Sequence, residues 1–127
     1  MEYTSSKILI VGITPYFLER TNAWIEENQS KIIGASKTHS FFQENILCLE
    51  KDQSFNLFQL MKKLDEMGYE KVLQTRDPGE FSQRGGIIEV FPINTDRILR
   101  FDFLGNKIES IERLETKTLN ENKTKEI

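Results

Sequence analysis

The sequence predicts an α/β protein of the α+β kind, in which a mainly antiparallel sheet packs on one helix and a partial βαβ lobe precedes the sheet. Two patterns carry most of this prediction. Two β-rich runs within residues 99–111 flank Gly105 and Asn106, a pair typical of a two-residue hairpin turn. Apolar side chains also recur at one and two helical turns at four positions: Leu57, Leu60, Met61 and Leu64.

The first part of the chain supplies the predicted βαβ lobe. Residues 7–13 form a short apolar run rich in β-branched side chains, which is typical of a buried strand. Thr14 as N-cap and Pro15 as first helical residue predict a helix that runs to about residue 27. Residues 31–35 have the pattern of a second buried strand, so strand, helix and strand are expected to form a right-handed unit.

Local signals place the remaining elements. Asp52 and Ser54 are N-cap candidates for a helix over about residues 55–67, and Gly68 is the glycine expected just after its end. The other predicted elements are a short helix around residues 38–42, strands over 46–49, 69–74 and 87–91, and a turn at 77–79. The last stretch, 115–127, is polar and without periodicity, so we interpret it as a frayed tail or an interrupted connection.

The two-residue turn predicts the register of the hairpin. The expected opposite pairs are Leu104 with Lys107, Asp102 with Glu109, and Arg100 with Ile111. Alternation then gives an apolar face, expected to be the core, that consists of Leu99, Phe101, Phe103 and Ile108. The opposite, solvent-facing side is predicted to carry Arg100, Asp102, Leu104, Lys107, Glu109, Ile111 and Arg113. An exposed leucine beside an arginine is typical of an interface.

The composition narrows the functional classes. Hydrophobic residues make up 38 % of the 127 residues, enough for a core, and the net charge of −3 argues against nucleic-acid binding driven by overall charge. Cys48 is the only cysteine and His39 the only histidine, so we expect no metal site and no cofactor. No run of about 20 apolar residues is present, and we expect a cytoplasmic protein.

No catalytic site stands out. Residues 34–38, GASKT, resemble the end of a phosphate-binding loop, but that loop needs a glycine directly before its lysine, and here Ser36 precedes Lys37. Glu80 and Glu89 lie on either side of a diglycine, and we interpret both as solvated side chains. The chain is therefore expected not to be an enzyme.

Arginine is concentrated in one part of the chain. Five of the six arginines lie in one window, and these are Arg76, Arg84, Arg97, Arg100 and Arg113. This bias is typical of a binding interface, or of surface ion pairs with the acids nearby, and the composition leaves both open. Gly85 and Gly86 directly follow Arg84. Two adjacent glycines indicate the close approach of a partner or of another backbone, or a bulge.

Three segments together resemble a known family. They are residues 68–72 (GYEKV), 79–92 (GEFSQRGGIIEVFP) and 100–111 (RFDFLGNKIESI). In this order and spacing they resemble the second domain of transcription-repair coupling factors, a domain also found in the excision-repair helicase UvrB. The resemblance covers about residues 45–114, and the GEFSxRGG form is closer to the coupling factors.

The resemblance also implies a domain organisation. Thr14, Pro15, Arg20 and the segment 31–35 are similar, more weakly, to the piece that precedes this domain in the family. The division implied is 1–44 as a remnant of a larger α/β domain, 45–114 as the interaction domain and 115–127 as a polar tail.

In the family this domain docks onto UvrA, the damage-sensing ATPase. The contacts implied by position are Arg84, Arg100 and the site of Leu104, with Gly85, Gly86 and Phe103 beside them. The family typically carries phenylalanine where this chain has Leu104, which offers less area and no ring for stacking.

The sequence thus favours a non-catalytic, monomeric module that binds UvrA. DNA and RNA polymerase are expected to be reached only through modules outside this chain. The alternatives are a direct nucleic-acid-binding fragment of a UvrB-like helicase, which salt-dependent DNA binding would favour, and a fragment of an ATPase or nuclease, for which no motif is present.

Overall fold

The computed structural model describes residues 7–115, which form seven strands and five short helices. In chain order these are β1 (Lys7–Val11), α1 (Pro15–Leu18), α2 (Asn22–Glu27), α3 (Gln29–Ala35), α4 (Ser40–Asn45), β2 (Ile46–Glu50), α5 (Leu57–Glu66), β3 (Glu70–Lys71), β4 (Glu80–Arg84), β5 (Ile87–Phe91), β6 (Ile98–Leu104) and β7 (Lys107–Leu114). Strands β1 and β2 form one antiparallel pair, and the other five form a sheet in the order β3-β4-β5-β6-β7.

The five-stranded sheet confirms the predicted class. Strands β4 to β7 run antiparallel to their neighbours, and only the short edge strand β3 is parallel to β4. Helix α5 packs on one side of this sheet and contributes Leu60 and Leu64, both fully buried. Buried residues of α5, of this sheet, of the pair β1–β2 and of the segment after α5 pack together, and we call them the main core: Ile8, Ile10, Leu47, Leu49, Leu60, Leu64, Met67, Tyr69, Phe81, Ile88, Val90, Leu99, Phe101 and Ile108.

Helix α5 begins after a capping residue that lies C-terminal to both predicted candidates. Its N-cap is Asn56, not Asp52 or Ser54. The Asn56 side chain accepts the backbone N–H of Gln59 at 2.9 Å, and the Gln59 side chain accepts the N–H of Asn56 at 2.8 Å. This reciprocal capping box satisfies two backbone donors at the helix start.

The end of α5 confirms the glycine signal. Gly68 has a φ of +96°, the left-handed conformation that stops the helix directly after Met67. The strand that follows is shorter than the predicted 69–74, because only Glu70–Lys71 pairs as a strand with β4.

The predicted βαβ lobe is wrong. Residues 31–35 belong to helix α3, and β1 pairs antiparallel with β2 instead of lying parallel to a second strand in that segment. The segment buries only Ile32 fully, while Lys31 and Gly34 are exposed. One-sided burial suits a helix on the surface of the strand pair, whereas a strand buried on both faces would need every residue covered.

The predicted helix over residues 15–27 is divided into α1 and α2. Thr14 is the N-cap of α1 as predicted, and its hydroxyl accepts the N–H of Phe17 at 3.4 Å. Thr21 caps a second helix in the same way, accepting the N–H of Trp24 at 3.0 Å. The break leaves Leu18 58 % exposed, outside the apolar stripe of the predicted continuous helix.

The pair β1–β2 separates the main core from a smaller second core. Ile8 and Ile10 point into the main core, while Leu9 and Val11 face the helices α1 to α4. The second core consists of Leu9, Val11, Phe17, Ile25, Ile32 and Ile46. The described parts of the predicted segments 1–44 and 45–114 therefore both contribute to each of the two cores, and the division at residue 44 stays a prediction.

Two side chains tie β1 to the loop after β5. The buried Tyr69 hydroxyl donates to the backbone oxygen of Val11 at 2.8 Å and accepts the N–H of Ile93 at 3.1 Å. Burial raises the pKa of Tyr69 well above its ordinary value. The Asn94 amide donates to the oxygen of Leu9 at 2.8 Å and accepts the N–H of Val11 at 3.2 Å.

Two remaining predictions concern the ends and the membrane. Of the predicted tail 115–127, only Glu115 lies within the described residues. Among those residues, no helix has the length and hydropathy that a membrane span requires.

Candidate partner-binding surface

The diglycine after Arg84 is the turn between β4 and β5. Arg84 pairs with Ile87, and Gly85, with a φ of +59°, is in the left-handed region that a tight two-residue turn requires. The N–H of Phe103 donates to the oxygen of Gly86 at 2.9 Å, and a Cβ on Gly86 would lie 3.3 Å from the oxygen of Phe103. Turn geometry and the approach of β6 therefore account for both glycines.

The β6–β7 hairpin has the predicted turn but not the predicted register throughout. Leu104 pairs with Lys107, as expected. A β-bulge interrupts the pairing between Asp102 and Phe103. As a result, Asp102 pairs with Ser110 instead of Glu109. Glu109 is the extra residue, and a two-residue turn alone does not encode it.

The bulge exchanges the faces of the residues that follow it. Ile111 pairs with Phe101 and packs against the main core, and Arg113 pairs with Leu99. Their predicted place on the same face as Arg100 is therefore wrong, although the side chain of Arg113 is exposed as predicted. Glu112 takes the position opposite Arg100 that the prediction gave to Ile111.

The side of the sheet that faces away from α5 is the outer face. Its residues form two rows of direct cross-strand neighbours. One row consists of Ser82, Glu89, Arg100 and Glu112, and the other of Arg84, Ile87, Asp102 and Ser110. Leu104 continues the alternation of β6 on the same face. The structure thus brings Arg84, Arg100 and Leu104 together on one face.

Arg100 is held by acidic neighbours on both adjacent strands. Its Nε and Nη2 atoms donate to Oε2 of Glu89 at 3.1 and 2.9 Å, and its Nη1 lies 3.7 Å from Oε1 of Glu112. The hydrogen bonds that Arg100 donates to Glu89 are the main reason that the pKa of Arg100 rises above its ordinary value. The guanidinium is therefore a fixed positive charge, half-buried between two strands.

The other two predicted contact residues on this face are open. Arg84 is exposed, and its side chain has no hydrogen bond or ion pair within residues 7–115. Leu104 is 61 % exposed at the hairpin end. Ile87, between them and half-buried, was missed as a contact candidate, although the alternation of Ile87 and Glu89 in β5 could have placed it on the outer face.

Phe103 does not share this surface. It is partly buried and packs against the main core, on the side that α5 covers. It can therefore support the hairpin from behind, while Leu104 is the apolar side chain that faces outward.

Arg97 and Arg113 do not belong to the outer face. Arg97 and Arg113 line a separate cleft of about 580 Å³ between α2, β1 and the loop before β6, together with acidic residues such as Glu26. Nη1 of Arg97 also lies 3.7 Å from Oε2 of Glu115. The arginine-rich window of the sequence is thus divided between two sides of the molecule.

The side chains that the sequence offered as candidates for catalysis are not arranged as a catalytic site within residues 7–115. Cys48 on β2 is partly covered, and burial raises the pKa of its thiol, which disfavours the reactive thiolate. Glu80 accepts the backbone N–H groups of Arg76 and Asp77, both at 3.0 Å, and so stabilises the turn before β4. His39 and Lys37 are exposed beside α4.

A comparison with protein families decides the identity of the domain. The sequence model of one protein family, described as the UvrB interaction domain, matches residues 47–127 of this chain. These residues include the whole five-stranded sheet. The chain belongs to the UvrB interaction domain family. The resemblance seen in the sequence motifs is thereby confirmed.

Curated relatives of this UvrB interaction domain fall into two groups. The chain is 33 % identical over 58 % of its length to the transcription-repair-coupling factor of Escherichia coli (strain K12), and 36 % identical over 55 % to that of Borreliella burgdorferi. It is 30 % identical over 83 % of its length to the UvrABC system protein B of Carboxydothermus hydrogenoformans. The chain spans only 6 % of the first two proteins and 16 % of the third.

Proposed function

We propose that this chain is a protein-binding module that docks onto UvrA in nucleotide excision repair, through the outer face of its sheet. The proposal rests mainly on one observation: Arg84, Arg100 and Leu104 lie on the same face of the sheet, which α5 does not cover. Membership of the UvrB interaction domain family supports it, because the motifs of the family contribute these residues.

The outer face has the mixture of charge and apolar surface that protein interfaces use. Leu104 and Ile87 offer apolar contact area, and Arg84 is a cation without a partner among the described residues. Arginine and a few apolar anchors contribute most of the affinity in typical interfaces. We expect Arg84 and Arg100 to bind carboxylates of UvrA and Leu104 to fill an apolar site there.

The diglycine turn fits this arrangement. A Cβ on Gly85 would meet no atom within 4 Å among the described residues, so the backbone next to Arg84 is open to a partner, and Gly85 and Gly86 remain predicted contact residues. Leu104 takes the place of the ring that the family usually has, so we expect its contribution to be smaller than that of phenylalanine.

The module is proposed to act without catalysis, as a monomer and in the cytoplasm. We expect no ATP hydrolysis by the purified chain, because Ser36 replaces the glycine of a phosphate-binding loop. Reproducible turnover that is lost in Lys37→Ala would contradict this expectation.

A binding titration with purified cognate UvrA tests the proposal. Arg84→Ala should weaken binding by roughly 1–3 kcal/mol, because it removes a charge-assisted contact. The matched control is Arg113→Ala, which removes the same charge from the opposite side of the sheet and should leave binding unchanged.

Two outcomes would contradict docking through the outer face. Equal losses in Arg84→Ala and Arg113→Ala would show that only overall charge matters. Tight binding to DNA without UvrA, falling steeply with salt, would favour the nucleic-acid-binding alternative.

A further inference from the structure

We propose that Glu89 is a positioning residue of the docking surface, which holds one edge of the Arg100 guanidinium so that its other edge is presented to a carboxylate of the partner. The inference rests on the proposed docking to UvrA and deepens it. It is based on the direct cross-strand pairing of Glu89 on β5 with Arg100 on β6.

The hydrogen bonds divide the guanidinium into an occupied and an open edge. A guanidinium offers two forks, one formed by Nε with a terminal nitrogen and one formed by the two terminal nitrogens. Glu89 occupies the first fork, since a single carboxylate oxygen accepts from both Nε and Nη2. Nη1 makes no hydrogen bond within residues 7–115, so the second fork can donate hydrogen bonds end-on to a carboxylate.

The backbone of Glu89 is itself held by neighbouring hydroxyl groups. Its backbone oxygen accepts the Thr75 hydroxyl at 3.0 Å, and that hydroxyl lies 2.7 Å from the hydroxyl of Ser82, the cross-strand partner of Glu89. Thr75 and Ser82 are both buried. The backbone of Glu89, from which the carboxylate reaches Arg100, is therefore held by a hydrogen bond in the middle of the sheet.

Glu112 is a weaker neighbour than Glu89. Its carboxylate is 3.7 Å from Nη1 of Arg100, beyond hydrogen-bond distance, and its side chain is 58 % exposed against 24 % for Glu89. A carboxylate of UvrA can thus take the place beside Nη1 without displacing Glu89. An arginine whose conformation is already fixed loses less freedom when it binds, which increases affinity.

This geometry predicts the direction of the effect when Glu89 is changed. A positioning residue increases affinity, so its loss must weaken binding. If Glu89 instead competed with the partner for the same fork of Arg100, its loss would strengthen binding.

The test is a double-mutant cycle in the full chain, titrated with purified cognate UvrA. Glu89→Gln should weaken binding about three- to tenfold, and Arg100→Ala should weaken it more. The double variant should bind within about twofold of Arg100→Ala alone, because Glu89 acts only through Arg100. The matched control is Glu66→Gln, which removes one charge from the exposed side of α5 and should leave binding unchanged.

Two measurements on the free chain separate positioning from folding. Thermal melting should show Glu89→Gln folded, with a midpoint within a few degrees of the wild type, roughly what a partly exposed ion pair contributes. The Nε–H resonance of Arg100 in a ¹⁵N NMR spectrum should exchange slowly with water in the wild type and quickly in Glu89→Gln.

Each other outcome would overturn the inference in a distinct way. Tighter binding of Glu89→Gln would show competition, and an additive loss in the double variant would show that Glu89 contacts UvrA directly. If the wild type binds UvrA and Glu89→Gln binds it equally well, the positioning role of Glu89 would be overturned and the proposed function would stand. A wild-type chain that does not bind UvrA would overturn the proposed function, and this inference with it.

Discussion

The two faces of the five-stranded sheet differ in almost every physical respect, although the same strands form both. The inner face is a closed apolar layer against α5, in which Ile88, Val90 and Phe101 are fully buried. The outer face carries the ion pair of Arg100 with Glu89 and an exposed leucine, Leu104, at its end. Adjacent residues of one strand therefore belong to chemically different surfaces.

This difference separates stability from recognition. Burial of apolar area stabilises the fold, while polar and apolar groups that remain in contact with water are available to a partner. Changes on the inner face should therefore alter the free energy of unfolding, and changes on the outer face should alter binding at nearly constant stability. The comparison fails if either face controls both properties.

The largest expected effect is on the inner face. Phe101→Ala should lower the free energy of unfolding by about 3–5 kcal/mol, because it opens a cavity where a fully buried ring packs in the main core. Chemical denaturation of wild type and variant measures the difference. A loss below about 1 kcal/mol would show that the inner face is not the determinant of stability.

A second large effect is expected where the sheet joins β1. Tyr69→Phe should lower the free energy of unfolding by about 1–3 kcal/mol, because it leaves the oxygen of Val11 and the N–H of Ile93 without their buried partner. Denaturation at neutral pH measures this effect, and binding to UvrA should not change.

The same tyrosine predicts a pH dependence. Its pKa is raised in the folded state, so folding favours the neutral hydroxyl. The stabilisation is complete below the unfolded pKa of about 10 and decreases as the pH rises above it, because the unfolded chain then releases the proton more readily. The stability of the wild type should therefore fall towards that of Tyr69→Phe above about pH 10. A constant difference between the two proteins across this range would contradict the assignment.

On the outer face the expected effect moves from stability to binding. Arg100→Ala should weaken UvrA binding by about 1–3 kcal/mol and lower stability by less than about 1 kcal/mol, because its ion pairs are partly exposed. Thermal melting and a binding titration on the same preparations test both values. Melting of the fold with unchanged binding per folded molecule would make Arg100 a structural residue.

The smallest effect is expected at the hairpin end. Leu104→Phe should keep binding to UvrA or improve it by up to about 1 kcal/mol, since a ring adds contact area at an exposed position. Stability should change by less than about 0.5 kcal/mol. A clear loss of affinity in the titration would show that the partner surface is shaped for leucine.

The sequence predicted those parts of the sheet that depend on local signals. Gly105 and Asn106 encode the hairpin turn directly, and alternation in β6 correctly places Arg100 and Leu104 on one face. The bulge at Glu109 has no such local signal, because the number of residues in a turn does not specify an extra residue farther along the strand. The pairing of Arg100 with Glu89 likewise could not be predicted from local signals, because the two residues are 11 positions apart and lie on different strands.

The N-terminal part was predicted less well for a related reason. The segment 31–35 contains two isoleucines, which favour a strand, yet it forms a helix whose buried side faces the second core. Tertiary packing decides between the two structures for so short an apolar run. Thr21, in contrast, was a local signal for the break between α1 and α2 that the apolar stripe obscured.

Asn94 has a consequence for the solubility of the chain. Within residues 7–115, β1 is a short apolar strand that pairs only with β2, and an unpaired strand edge can template association with the edge of another molecule. The Asn94 amide satisfies the oxygen of Leu9 and the N–H of Val11, so these two groups are not available for pairing with a foreign strand. We therefore expect this single polar side chain to disfavour association of two molecules at the edge of β1.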